Sequence, residues 1–328
     1  MAAPWLAYIA RTRRKQQCEP YPVLEPNRFE YSPIIDRPII KWPNNARVAL
    51  WVAPNLEHYE YMPGVVGGRD PWPRTPQPDV REYAVRDYGN RVGFWRMLKV
   101  MDKHKIRCTV SLNVAVLHHF EEIRMAMVER DWEYMWHGVY NTRNLMPDTP
   151  EAVERVLLQD GIRTVKQYTG KELKGLMGPN ISATDNTLDI MAELGMQYFC
   201  NWFHDDQPFP LKVRKGRLIS LPYSVEVNDL PGVLAQGHDS AYMCQQIKDQ
   251  FETLYEQGAR NGRVMCISLH PFFIGQPSRI KHLEEALDYV MAHDGVWSTT
   301  ANDICDYYMM HYYEAVVAHL EERKKERL

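Results

Sequence analysis

The chain has no charge of one sign to spare: its formal net charge is −3 over 328 residues. That leaves no basic excess to hold nucleic acid and no acidic tail, so electrostatics alone names no macromolecular partner. Nor is there an apolar run of about eighteen residues, the length a bilayer-crossing helix needs. The opening MAAPWLAYIARTRRKQQ places its basic residues after a short apolar piece rather than before it, the wrong order for a secretory signal. The six cysteines, Cys18, Cys108, Cys200, Cys244, Cys266 and Cys305, include no CxxC pair. Cys108, Cys200 and Cys266 fall inside apolar strand candidates, which favours buried free thiols. A reducing cytoplasm is the expected compartment, with neither membrane nor nucleic acid among the partners. Long polar and low-complexity tracts are missing too, and 45% of the residues are apolar. Such a chain can bury a full core, and one large α/β domain is preferred to two small ones.

What is present is a set of polar clusters, each at the end of an apolar stretch. They are NLEH (Asn55 to His58), HGVYN (His137 to Asn141), HDDQPF (His204 to Phe209) and ISLHPFF (Ile267 to Phe273). The stretches that lead into them, VALWVA, EYMWH, QYFCNWF and RVMCISLH, read as buried parallel strands. Carboxylates and imidazoles where such strands run out point to an enzyme, because α/β barrels carry their chemistry there.

Residues 1–40 are rich in Pro and Arg without periodicity and read as an N-terminal arm, lying over the domain or over a neighbouring subunit. Residues 41–328 form the single domain. Strands are expected near Val48, Cys108, Glu133, Gly175, Gln197, Leu218 and Val264, and such alternation with helices argues for a parallel sheet. Helices are expected over Arg91 to His104, with Val92, Trp95, Leu98 and Met101 on one side, and over Thr184 to Leu194, closing on Gly195. Asp239 to Ala259, Pro277 to Ala292 and a last helix from Thr300 complete the set. Glu60 to Asp87 holds too much Pro and Gly for a helix or central strand and reads as a pocket lid or wall, or else a surface excursion.

The order and spacing of the clusters, with the phrase ISLHPFFIGQPSRIKHLEEAL, resemble the polysaccharide deacetylase (NodB-homology) family, and most closely its allantoinase and cyclic-imidase-like branch. The resemblance covers roughly Arg37 to Tyr308. It implies a distorted (β/α) barrel of about seven parallel strands with the site at its C-terminal mouth, and a homo-oligomer. Carried over by residue, Glu57 matches the catalytic base and His58 the second acid of the first motif. His137 and Asn141 stand where the family has two metal-binding histidines, and asparagine is a poor ligand for zinc. The cofactor is therefore either none or a weakly bound divalent metal, with His58, His137 and Asn141 as candidate ligands. Met177 occupies the position of the arginine that holds the base, which implies a raised pKa for a buried Glu57. Pro179 keeps the turn, and Asn180, His137 and Asp205 are candidate substrate contacts. Asp206 corresponds to the aspartate that orients the catalytic histidine, and His270 to the general acid itself.

The function implied is hydrolysis of a carbon–nitrogen bond in a small amide, a cyclic imide or a ureide. Two alternatives stay open: a metal-dependent de-N-acetylase of an amino sugar, and a binder of metabolite or carbohydrate that has lost the chemistry.

Overall fold

The structure, a computed structural model, describes residues 27–63 and 78–326. The first 26 residues of the arm, Cys18 among them, and residues 64–77 of the expected lid lie outside the described residues. Among the described residues nine strands form one curled sheet in the order β6-β7-β5-β4-β3-β2-β1-β8, with β9 beside the start of β1. They are β1 (Val48–Leu56), β2 (Thr109–Leu112), β3 (Glu133–Trp136), β4 (Gly175–Leu176), β5 (Tyr198–Phe199), β6 (Phe209–Leu211), β7 (Leu218–Ser220), β8 (Arg263–Leu269) and β9 (Val296–Ser298). Every pairing is parallel except β6 with β7. All seven expected strands are present. The two further ones are three residues each, and β6 carries Pro210, which an edge strand tolerates because the missing N–H faces no partner.

The sheet is a half-barrel, consistent with the distorted barrel that the resemblance implied, and its ladder does not close between β6 and β8. Single bonds from loops cross the seam instead: Val264 N–H donates to the Asp206 carbonyl (2.9 Å) and Ser268 N–H to that of Val227 (3.0 Å). The segment Tyr223 to Asp229 is thereby laid along the C-terminal end of β8.

Alternation along the strands builds two cores. Val48, Leu50 and Val52 of β1 join the layer under the outer helices, with Met97 and Met101 from Phe94–Lys103 and Ile247 and Phe251 from Ser240–Gly258. Ala49, Trp51 and Ala53 face the barrel interior with Val264, Cys266 and Tyr198. The helix Ala301–His311 seals the bottom of that interior with Ile304, Cys305 and Tyr308. Its Asn302 side chain donates to Glu133 at the start of β3 (2.7 Å). The five described cysteines are buried and free. No described helix is long and apolar enough to cross a membrane.

Two helices end as their caps demand. Asp239 accepts from Tyr242 N (2.7 Å) at the start of Ser240–Gly258, and Thr300 from Asp303 N (3.1 Å) at the start of Ala301–His311. The expected last helix breaks at Tyr312 and resumes as Tyr313–Glu326. Part of the expected loop from Glu60 to Asp87 is helical: Val80–Tyr88 begins on Asp79, which accepts from Glu82 N (3.2 Å). The pattern Asp79, then Glu82 three residues on, was a start signal that the Pro and Gly content of the preceding stretch masked. This helix runs through a wide turn, Gly89–Gly93, into Phe94–Lys103.

The glycines of that turn are a packing requirement. A Cβ on Gly93 would lie 2.0 Å from the carbonyl oxygen of Pro271, and one on Gly89 2.7 Å from the N of Phe272. Both obstacles are backbone, so neither can swing aside. Gly93→Ala is expected to cost about 1–3 kcal/mol in urea-unfolding experiments, the usual penalty of overpacking. An unchanged midpoint would show that the turn and the Pro271 segment are not pressed together.

Candidate active site

The inward parity of the strands continues past their ends. On β1 it runs through Ala53 to Asn55 and Glu57, on β8 through Cys266 to Ser268 and His270, and from β3 and β4 it reaches His137 and Met177. Glu57, His137 and His270 are thereby brought to one cavity of about 210 Å³. Its polar wall also includes Asn55, Asn180, Tyr223 and Asn228, and its apolar wall Met177, Ile181, Phe203, Val225, Leu230 and Pro231. Beneath the floor, Asn55 Nδ2 donates to the Tyr223 hydroxyl (2.9 Å) and to Ser268 Oγ (3.0 Å), a network that fixes the end of β8 against β1.

The charged groups are close and buried. Glu57 Oε1 lies 3.4 Å from His270 Nε2 and 3.8 Å from His137 Nε2. His270 Nδ1 faces Asp229 Oδ1 at 2.7 Å, and the His270 N–H donates to Asp229 Oδ2 at 2.8 Å. Asp229 is fully buried. Burial opposes the charge on His270, but Asp229 and then Glu57 outweigh it and push its pKa up to about 9. Burial likewise opposes charge on Glu57. Hydrogen bonding from His137 and His270, with the positive charges of His270 and Arg86, overcomes this and holds the carboxyl well below the usual carboxylate range. At neutral pH the site therefore presents an ionised carboxylate against an imidazolium. Glu57 Oε2 makes no hydrogen bond among the described residues. His137 Nδ1–H donates to the Met177 carbonyl (2.6 Å), which fixes the tautomer and leaves Nε2 towards the cavity.

Several expectations need correction. The aspartate that orients His270 is Asp229, not Asp206. Asp206 is exposed on the turn before β6, and Asp205 is gripped by the Arg37 guanidinium (2.8 Å). Both line a neighbouring cavity of about 590 Å³ rather than the one that holds Glu57. Glu57 has its pKa lowered and not raised, because His137 and His270 outweigh burial, and Arg86, whose Nε is 3.6 Å from Oε2, adds a smaller pull in the same direction. Asn180 does line the cavity, yet its amide donates to Asn144 Oδ1 (2.9 Å).

The three residues at the metal positions do not converge. The His58 ring turns away from Glu57 to lie against His119 (4.7 Å), Phe120 (5.2 Å) and Tyr140 (5.6 Å). Burial first, and then His119, lowers its pKa to about 4. Asn141 Nδ2 donates to the Tyr59 hydroxyl (3.0 Å). Among the described residues no group of three His, Cys, Asp or Glu side chains could hold a metal ion. The donor set does not fit a divalent cation of the deacetylase kind.

Sequence reasoning missed Asp229, Asn113 and Arg86. Asp229 ends the run YSVEVND, an apolar alternation closing on polar residues, the same signal that marked the four clusters. Asn113 follows β2: its Oδ1 accepts from His58 N (2.8 Å) and its Nδ2 donates to the His137 carbonyl, joining the two loops. Arg86 was hidden in a segment read as loop.

Comparison with known proteins agrees with this architecture. The family model described as polysaccharide deacetylase matches residues 83–199. A Schizosaccharomyces pombe protein named "Putative polysaccharide deacetylase" is 26% identical over 306 residues, spanning 80% of this chain and 90% of that protein. A crystal structure of a probable polysaccharide deacetylase from Pseudomonas aeruginosa PAO1 superposes with a TM-score of 0.75 at 26% identity, covering 84% of this chain and 96% of that one. PuuE allantoinase superposes with a TM-score of 0.72, also at 26% identity, covering 84% and 95%.

The assignment of Asp229 is tested by titrating the His270 ring by NMR. The wild-type signal is expected to titrate at about 9. Asp229→Asn removes the largest force that raises it, so the titration moves to lower pH, whereas Asp206→Asn leaves it in place. The reverse pattern would restore Asp206 to the role.

Proposed function

We propose that this chain, which carries a polysaccharide deacetylase domain, hydrolyses a carbon–nitrogen bond other than a peptide bond, in a small amide, cyclic imide or ureide. One observation carries the reading: Glu57 Oε1 and His270 Nε2 face each other at 3.4 Å, with opposite charges, in the cavity of about 210 Å³. Base and acid are thus both in their working states before substrate arrives.

In this mechanism a water molecule sits in the cavity against Glu57 Oε1, the carboxylate oxygen that faces His270 and His137. Glu57 takes a proton from the water as its oxygen attacks the carbonyl carbon, and the carbonyl π pair moves onto oxygen. The backbone N–H of Asn180 is the donor for that oxyanion, since those of Gly178, Ile181 and Ser182 are committed elsewhere. His137 suits a different task. With Nδ1–H committed to the Met177 carbonyl, its Nε2 is turned to the cavity, 3.8 Å from Glu57 Oε1, where it meets the polar edge of an imide or ureide. Collapse of the intermediate breaks the carbon–nitrogen bond while His270 Nε2–H protonates the departing nitrogen. Glu57 then holds a proton and His270 has lost one, and the short gap between them lets the proton return and resets the pair.

The size of the cavity favours a compact substrate, because a polymer requires an open groove. Relatives named for polysaccharide or peptidoglycan act, by those names, on larger molecules. The lack of convergence among His58, His137 and Asn141 separates the present site from a metal-dependent deacetylase.

The test is product analysis by mass, with and without chelator, on allantoin, hydantoin and succinimide-type rings beside N-acetylated chito-oligosaccharides. Ring opening that adds one water and survives chelation is expected. Acetate release abolished by chelator would replace this reading with the deacetylase. Inertness on every substrate would bring the non-catalytic binder forward. Glu57→Gln and His270→Ala are each expected to lower kcat by about 10²–10⁴-fold. Normal turnover in either variant would remove that residue from its role.

A further inference from the structure

We propose that Arg86 is the positioning residue of this site, a clamp that joins the base loop to the acid loop and holds the charge of Glu57 from an element outside the carried-over motifs. The inference rests on the reading of Glu57 and His270 as base and acid. The Arg86 guanidinium is sandwiched between two rings, 4.1 Å from that of Tyr59 and 4.5 Å from that of Phe272. Tyr59 stands two residues after Glu57, and Phe272 two residues after His270. The planar cation therefore bridges the loops that leave β1 and β8 just beyond their reactive side chains.

Hydrogen bonds fix the guanidinium in that slot. Nη2 donates to the Tyr59 hydroxyl (3.0 Å), and Nη1 to the carboxylate of Glu82 one turn earlier on the same helix. Glu82 is itself held by Arg81, at 2.9 and 3.0 Å. This grip leaves Arg86 Nε directed at Glu57 Oε2, 3.6 Å away. The Tyr59 hydroxyl also accepts from Asn141, so the clamp reaches the loop after β3 as well.

The chain around Arg86 is shaped for the same purpose. Asn90 Nδ2 donates to the backbone carbonyl of Glu57 (3.0 Å), and Gly89 and Gly93 let the turn press on Phe272 and Pro271. Arg86 is 4% exposed. Burying a permanent cation is costly unless its neighbours pair with it, and here those neighbours are the Glu82 carboxylate, the carboxylate proposed as base and the rings flanking base and acid. Met177, where the family has its base-holding arginine, cannot supply that charge.

The test compares Arg86→Met, which keeps the apolar stem, with Arg86→Lys, which keeps the charge but cannot stack flat between two rings. Two readouts are needed. A ¹³C-NMR titration of the Glu57 carboxyl requires no substrate, and kcat with KM on a ring substrate reports geometry. In Arg86→Met the carboxyl titration is expected to move to higher pH and kcat to fall about 10-fold or more, with KM changing less. Arg86→Lys is expected to recover the titration but only part of kcat. An Arg86→Met protein whose titration and kcat match wild type, or which only melts earlier, overturns the proposal. If Arg86→Met does not fold, Tyr59→Phe removes only the hydroxyl that Nη2 grips. A severalfold fall in kcat at an unchanged melting temperature then supports the clamp, and an unchanged kcat overturns it. The two levels fail separately. A shifted Glu57 titration in a protein with no hydrolase activity leaves Arg86 holding the carboxylate and removes the proposed chemistry. An active wild type with an inactive Glu57→Gln and a normal Arg86→Met removes the clamp alone.

Discussion

The constraint on which the site depends is that a carboxylate cannot be buried beside a cavity without cations to hold it. The chain meets it with a line of alternating charge: Asp229, His270, Glu57, Arg86, Glu82 and Arg81 follow one another from the barrel interior to the surface. The first carboxylate is completely buried, while the last guanidinium is 43% exposed to solvent. Each inner member has an opposite charge on either side, and each member comes from a different stretch of chain or from the same helix. The strand ends supply the middle of the line, and the helix Val80–Tyr88 and the Tyr223 to Asp229 segment supply its two ends.

That division also explains what could be read from the amino-acid sequence. Glu57, His137 and His270 were legible because they extend the inward parity of β1, β3 and β8, a period-two pattern that survives one or two residues past a strand. The same parity explains why His58 failed as a partner of Glu57. Consecutive residues point to opposite sides, and the His58 ring went to His119, Phe120 and Tyr140. Asp229 was missed because the family pattern drew attention to HDDQPF. In fact Asp205 and Asp206 sit at the barrel seam, where the first is held by Arg37 and the second lends its carbonyl to β8. Arg86 was missed because composition was read across Glu60 to Asp87 as a block, although the Asp79 cap lay within it. The fold was more legible than the site, since strand order follows from repeated alternation, whereas the partners of a buried charge depend on which loops meet in space.

The departures at His58, Asn141 and Met177 are connected. Where a metal would polarise a carbonyl, the chain offers a paired carboxylate and imidazolium in a small, mostly apolar chamber. Where an arginine would come from the third motif, Arg86 arrives instead from the helix Val80–Tyr88. The likeness to both a polysaccharide deacetylase and an allantoinase is then one of scaffold, with the reactive groups set by side chains at four strand ends and two flanking segments.

The most direct test of the central claim is the pH dependence of kcat/KM on a ring substrate that the protein opens. The proposed mechanism requires Glu57 ionised and His270 protonated, so the profile should be flat through neutrality. It should fall on the acid side only below the ordinary carboxylate range, and on the alkaline side with a limb at about 9. A profile that instead rises with pH through the ordinary histidine range would mean that a neutral imidazole is the base, and would contradict the account.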